Sequence, residues 1–366
     1  MRTMKITKEK SLVIGSGLFV GLVAVLLMVW GNPKNMGFCI ACFIRDIAGS
    51  LSLHTADKTQ YLRPEILGLV LGSFAIAVIS KEFNTRGGSS PVLRFLIGAF
   101  VMIGALVFLG CPLRMVLRLS AGDLNALVAL FGFIAGIGVG VLFLNNGFTL
   151  GRYKKQSKVE GTAFPLLQVL LFILGVTGFS MFKASTAGPG SMHAPFLIAF
   201  ALSLVCGALA QRSRLCFVGG IRDLFIIQDP TLVLGFVGVF LASLIGNLIV
   251  GNFHLSFSGQ PVAHSAHLWN FLGMFIVGLG SVMLGGCPLR QLILAGEGNT
   301  DSAITVFGML IGAAIAHNFK LAGSPYSADA AGGINTTSKV VVILIIAILL
   351  IIGTVKVLGA KKGEEN

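Results

Sequence analysis

Four cysteines and four arginines stand in two repeated settings. Gly-Cys-Pro-Leu-Arg runs from Gly110 to Arg114 and again from Gly286 to Arg290, 176 residues later. Cys39-x4-Ile-Arg-Asp ends at Asp46, and Cys216-x4-Ile-Arg-Asp ends at Asp223, an offset of 177. Proline suits the first position of a helix, where no amide donor is needed. Cys111 and Cys287 therefore read as N-caps. The positive end of a helix lowers a thiol's pKa and favours anions. Arg114 and Arg290 fall in the first turn, where Glu or Gln is the usual choice. A cation there opposes the helix dipole, and the same conflict made twice points to an anionic guest. The pairs Arg45–Asp46 and Arg222–Asp223 have two readings: functional charges at membrane depth, or ion pairs that pin their segments.

The elements that position these residues follow from composition. The chain has 366 residues, 55% of them hydrophobic and only 11% charged, against about 25% charged in a soluble domain. Its mean hydropathy is +0.91. A soluble fold of this size cannot hide so much apolar surface, so the bilayer is its solvent. Ten apolar runs approach the length of a span: 11–30, 65–80, 91–109, 124–144, 164–182, 194–211, 231–250, 268–285, 301–319 and 338–358. The net charge of +13 does not imply nucleic acid, because Lys and Arg sit mostly in short loops between the runs. Starting inside, the inner segments hold 18 of the 27 basic residues, from Arg2, Lys5, Lys8 and Lys10 to Lys356, Lys361 and Lys362. That bias predicts both termini in the cytoplasm. The first run is too long for the apolar core of a signal peptide, and Gly31-Asn32-Pro33 is no cleavage site, so it reads as a retained helix.

The matched motifs, together with Gly132 and Gly136 against Gly308 and Gly312, imply two homologous halves of four spans each. The expected organisation is an N-terminal repeat (1–150), a basic loop and connecting helix (151–192), a C-terminal repeat (193–320), and an outer loop, last helix and tail (321–366). Five spans precede the second repeat, an odd number, so it would enter the membrane inverted, a design common among transporters. The four cysteine-led segments are too short to cross. They suit re-entrant half-helices lining a cavity, two from each side, which gives an hourglass. The predicted fold is thus an all-α polytopic membrane protein with about nine or ten spans.

Other candidates carry less. Cys39-x-x-Cys42 could be a redox dithiol, but only one half has it. Cys206 sits inside a span without polar company and reads as packing. Gly132, Gly136 and Gly140 fall on one helix face, for close helix approach. His254, His264 and His267 share an outer loop. No zinc-type pair of CxxC motifs and no phosphate-binding G-x-x-x-x-G-K-[ST] loop occurs, so neither metal nor cofactor is expected. No acidic residue stands clearly central in a span, so no proton relay is visible.

Gln211–Phe225, QRSRLCFVGGIRDLF, and Gly285–Gly298, GGCPLRQLILAGEG, resemble the two cysteine-containing stretches of the YeeE/YedE family of bacterial inner-membrane sulfur transporters. The doubled GCPLR is most similar to the YedE-type branch associated with selenium. The resemblance implies an hourglass protein importing thiosulfate or a related ion. It implies a relay of thiols that contact the substrate through S–H···S hydrogen bonds. Cys111 and Cys287 would be its principal stations, with Cys39 or Cys42, and Cys216, as further ones. It also implies a small cytoplasmic sulfur-carrier protein as partner, beside the anion and membrane lipid. Read from residues and resemblance together, the chain is expected to be a transporter of a small sulfur- or selenium-containing anion, with no catalytic residues. The rival reading is a membrane thiol oxidoreductase or sulfurtransferase working through Cys39/Cys42 or a persulfide on Cys111 or Cys287. A third is a membrane anchor for a sulfur-carrier complex, against which the intramembrane Arg and Cys count.

Overall fold

The computed structural model describes residues 8–327 and 332–364. Arg2 and Lys5, and the side chains of Lys361 and Lys362, which contribute to the expected charge bias, lie outside what it describes. The ten predicted runs are ten helices: α1 (Lys8–Val29), α3 (Pro64–Ile79), α4 (Pro91–Phe108), α6 (Leu124–Asn145), α7 (Lys158–Val176), α8 (Phe196–Ser213), α10 (Thr231–Ile249), α11 (His267–Leu284), α13 (Thr300–Asn318) and α14 (Thr336–Glu364). Among the described residues nine segments are long and apolar enough to cross a bilayer, and α3 is a shorter apolar helix. The cysteine-led segments are four short helices: α2 (Ile40–Ser50), α5 (Pro112–Ser120), α9 (Phe217–Ile226) and α12 (Pro288–Gly296). The protein is an all-α polytopic membrane protein. Two short strands, Arg86–Gly87 and Lys154–Lys155, pair antiparallel between loops.

The element order is a seven-helix sequence run through twice. Moved by 176 residues, α4 and α5 coincide with α11 and α12, and α6 begins where α13 begins. The correspondence extends beyond four spans: α7, moved by the same offset, falls on α14. That helix was expected to be a connector outside the repeat. α7 and α14 share apolar character rather than motif residues, so no motif marks the correspondence.

Glycines set how the spans pack, because backbone can approach backbone only where no Cβ intervenes. A Cβ on Gly132 would lie 2.1 Å from the Phe271 carbonyl oxygen, and one on Gly136 2.2 Å from that of Phe275. In the second half, Gly308 meets the Phe95 carbonyl at 2.1 Å and Gly312 that of Ala99 at 2.6 Å. Phe95 and Ala99 are the positions that map onto Phe271 and Phe275. So α6 lies on α11 as α13 lies on α4. Likewise Gly17 abuts Gly235 and Gly21 abuts Val239 between α1 and α10, while Gly68 and Gly72 abut Phe200 and Leu204 between α3 and α8. In all four seams the residue numbers rise together, so the partners run parallel. The central pair α4 and α11 differs. Gly104 meets Gly273, while Gly280 meets Val101 and Ile97, so these two helices pack antiparallel.

Among the described residues, the hydrogen bonds between inter-helix connections fall into two groups. In one, Arg86 bridges to Asn299, the Asn84 amide donates to the Glu297 carbonyl, and Gln211 reaches Glu82. In the other, the His254 amide donates to the Ala121 carbonyl, Gln60 and Ser185 are joined, and Asn318 bonds Leu53. These are the two faces of the bundle.

Candidate functional site

Each short helix begins on a cysteine in extended conformation, the backbone geometry of an N-cap. Cys39 Sγ accepts the Cys42 amide at 3.3 Å, and Cys216 Sγ accepts the Gly219 amide at 3.2 Å. Cys111 and Cys287 cap helices whose first residue is Pro112 or Pro288, and their thiols turn elsewhere. Cys287 meets Cys216, Sγ to Sγ, at 3.9 Å. Cys111 meets Cys39 and faces the first turn of α2 at Ala41. In each half, therefore, the starts of two short helices converge on one thiol pair. All four cysteines are buried, as is Cys42, and all are free. Cys206 is buried in α8 away from both pairs.

The turn that presents each cysteine is a helix stop. α4 ends on Leu109 at φ 63° and α11 on Gly285 at φ 82°. Glycine takes a left-handed conformation without penalty, whereas leucine is strained there by roughly 1–2 kcal/mol. In the first half that strained turn is held by Arg114. Its Nη1 donates to the Leu109 carbonyl, Nε to the Asn35 carbonyl at 2.9 Å and Nη2 to the Val262 carbonyl at 3.1 Å. Nη1 also lies 3.5 Å from Cys42 Sγ. Arg114 is fully buried. Its guanidinium thus joins three chain segments through carbonyl oxygens.

Arg290 has the same place in the second motif and a different setting. Its Nη1 is 3.0 Å from Glu297 Oε1 but forms no hydrogen bond. The side chain faces a cavity of about 600 Å³ that also takes in Lys81, Arg86 and Arg214. Arg114 has the Cys42 thiol beside it; Gly219 stands at the equivalent position in the second half. The two arginines, alike in sequence, are a buried clamp and a cavity wall.

Arg45 and Asp46 are ion-paired at 2.7 Å and buried. Arg222 and Asp223 are paired at 2.8 Å and partly exposed. Sequence reasoning missed Arg63. It is fully buried, bonds Asp46 at 2.7 Å and the carbonyls of Pro189 and Met192, and lies over the Phe43 ring. The available signal was an arginine heading an apolar run on the face poor in basic residues. Arg118 and Asp123 form a second fully buried pair at 2.6 Å. The equivalent positions are Leu294 and Asn299, so that pair belongs to one half alone. Of the three loop histidines, His264 is buried with Nε2 2.8 Å from the Val107 carbonyl, and burial pushes its pKa down to about 4. Among the described residues no cluster of His, Cys, Asp and Glu could hold a metal ion.

Residues 212–366, which carry the second thiol pair, match the family described as Sulphur transport. Through them the chain is similar to that family over its C-terminal part. The chain is also 34% identical over 119 residues to thiosulfate transporter TsuA of Escherichia coli (strain K12). That likeness covers 31% of this chain and 32% of the relative, so the chain matches about a third of that protein's length. The matched region contains α9, α12 and, of the wall of the basic cavity, Arg214, Arg290 and Glu297.

Proposed function

We propose that the protein is a transporter that imports a small sulfur-containing anion of the thiosulfate type, or a selenium analogue, along a path through the two thiol pairs. One observation carries this reading: four cysteine N-caps, from four short helices, meet as two equivalent thiol pairs. A positive helix start draws anionic charge, and thiols are polarisable partners for sulfur or selenium. An oxidoreductase needs one dithiol and an acceptor site, whereas passage needs equivalent stations. The antiparallel packing of the equivalent helices α4 and α11 supports an inverted repeat, with Cys39/Cys111 reached from outside and Cys216/Cys287 from inside. The charge bias supports an inner-membrane location with both termini cytoplasmic. A small cytoplasmic sulfur-carrier protein is the proposed recipient.

Uptake of labelled thiosulfate by proteoliposomes tests this. Cys111→Ala and Cys287→Ala should each abolish uptake, since one blocked station stops flux, while Cys206→Ala should leave it near normal. A selenium analogue that shares the path should compete. Full uptake by the Cys111→Ala/Cys287→Ala double variant would overturn the proposed path.

A further inference from the structure

The cavity beside Arg290 lies on the face of the bundle that carries the loops after α3, α8 and α12, and nothing in the thiol path requires its composition. Its wall holds four cations, Lys81, Arg86, Arg214 and Arg290, and two carboxylates, Glu82 and Glu297. Glu82 is engaged elsewhere. It accepts from Gln211 at 2.7 Å and from Arg212 at 2.6 Å, and these bonds hold its carboxyl below the usual range. Glu297 is the remaining counter-charge. It stands 3.0 Å from Arg290, a salt-bridge distance without a hydrogen bond, and Arg290 Nη1 is a buried donor with no partner. The cavity therefore has an excess of positive charge and one buried guanidinium nitrogen without a hydrogen bond.

We infer that this cavity is a binding site for a small divalent oxyanion, separate from the thiol pairs, in which Arg290 and Arg214 hold the anion and Glu297 competes with it for Arg290. Planar guanidinium groups match oxyanion edges through paired N–H donors. At about 600 Å³ the cavity is larger than such an ion and admits it with part of its water shell. That suits a loosely held ion leaving a path rather than one locked in place. Arg290 lies in the first turn of α12, three residues from Cys287, so the site adjoins the second thiol pair. The inference rests on the transport reading for the anion's origin, but binding in the cavity is measurable without transport.

The experiment uses the full-length protein in phosphatidylcholine nanodiscs, in chloride-free buffer, with thiosulfate and sulfate as probes in calorimetric titrations. Arg214→Gln should weaken binding about tenfold, the loss expected for one charge-assisted hydrogen bond. Glu297→Gln should tighten it by up to about fivefold, by removing a competing ion pair of partly exposed type. Cys216→Ala/Cys287→Ala should bind as the unaltered protein does, although the transport reading requires it to lose uptake. Loss of binding in that double variant would put the anion on the thiols and overturn the inference. So would unchanged affinity in both Arg214→Gln and Glu297→Gln. Binding that disappears when phosphatidylglycerol is added to the nanodiscs would assign the cavity to lipid headgroups, and would also overturn it. Failure of the site with thiosulfate uptake intact would leave the thiol path standing.

Discussion

Arg114 and Arg290 occupy the same position of the same pentapeptide, and their loss should have opposite consequences. Arg114→Ala removes the donor from three carbonyls, those of Asn35, Leu109 and Val262. A buried acceptor left without a partner costs about 1–3 kcal/mol. The Leu109 carbonyl keeps a weak donor in the Cys42 thiol at 4.0 Å, so near the middle of that range the carbonyls of Asn35 and Val262 together cost about 3 kcal/mol. Relief from burying a cation offsets part of this, and release of the Leu109 turn from its clamp works the other way. A net loss near 3 kcal/mol is a large share of the 5–15 kcal/mol that typically separates folded from unfolded protein. Arg290→Ala removes a partly exposed ion pair without a hydrogen bond, worth about 1 kcal/mol or less. Arg114→Ala should therefore lower the thermal midpoint of the detergent-purified protein by several degrees and reduce its yield. Arg290→Ala should melt near the unaltered protein while uptake falls. Arg114→Lys should recover stability only in part, because an ammonium cannot span three carbonyls in one plane. The midpoint is read from loss of the monodisperse peak after heating, and uptake is measured on the surviving fraction. Equal midpoints for Arg114→Ala and Arg290→Ala would refute the clamp.

Two other outcomes follow from the packing and the buried histidine. Gly132→Ala and Gly308→Ala each put a methyl group 2.1 Å from a carbonyl oxygen on a facing helix. Both should destabilise by about 1–3 kcal/mol, as overpacking does, and by similar amounts because the two seams are equivalent; a thermal midpoint unchanged in either variant would contradict the seam. His264, depressed to about 4 by burial, binds its proton in the unfolded chain near 6.5. Its contribution to stability is thus complete above about pH 6.5 and is lost as pH falls from there to about 4. His264→Gln should flatten the decline of the thermal midpoint over that window, and an unaltered slope would assign the decline to other groups.

Much of the arrangement was legible in the sequence for physical reasons. Spans of about 20 apolar residues are forced by the bilayer, so all ten emerge as helices, α3 included despite its 16 residues. Proline after Cys111 and Cys287 dictates a helix start wherever the chain turns. Gly132 and Gly136 could be placed on a seam because four-residue spacing puts them on one face. What stayed hidden depends on distant partners. Nothing local pairs Cys287 with Cys216 or places Arg63 on Asp46 across 17 residues. The different fates of Arg114 and Arg290 are set by Val262 and Asn35 on one side and by Lys81, Arg86 and Arg214 on the other. The pentapeptide is blind to both.

The burial of the thiols has a practical consequence. Cys39, Cys42 and Cys287 are 0% exposed, Cys111 1% and Cys216 6%. A membrane-impermeant thiol-alkylating reagent finds almost no thiol surface to attack in this conformation, so rapid modification requires the walls around a pair to part. Alkylation kinetics then count openings. Reagent supplied from one face and then from the other reports separately on how often each half unlocks, and the ratio of the two rates measures the resting bias of the protein without following any substrate.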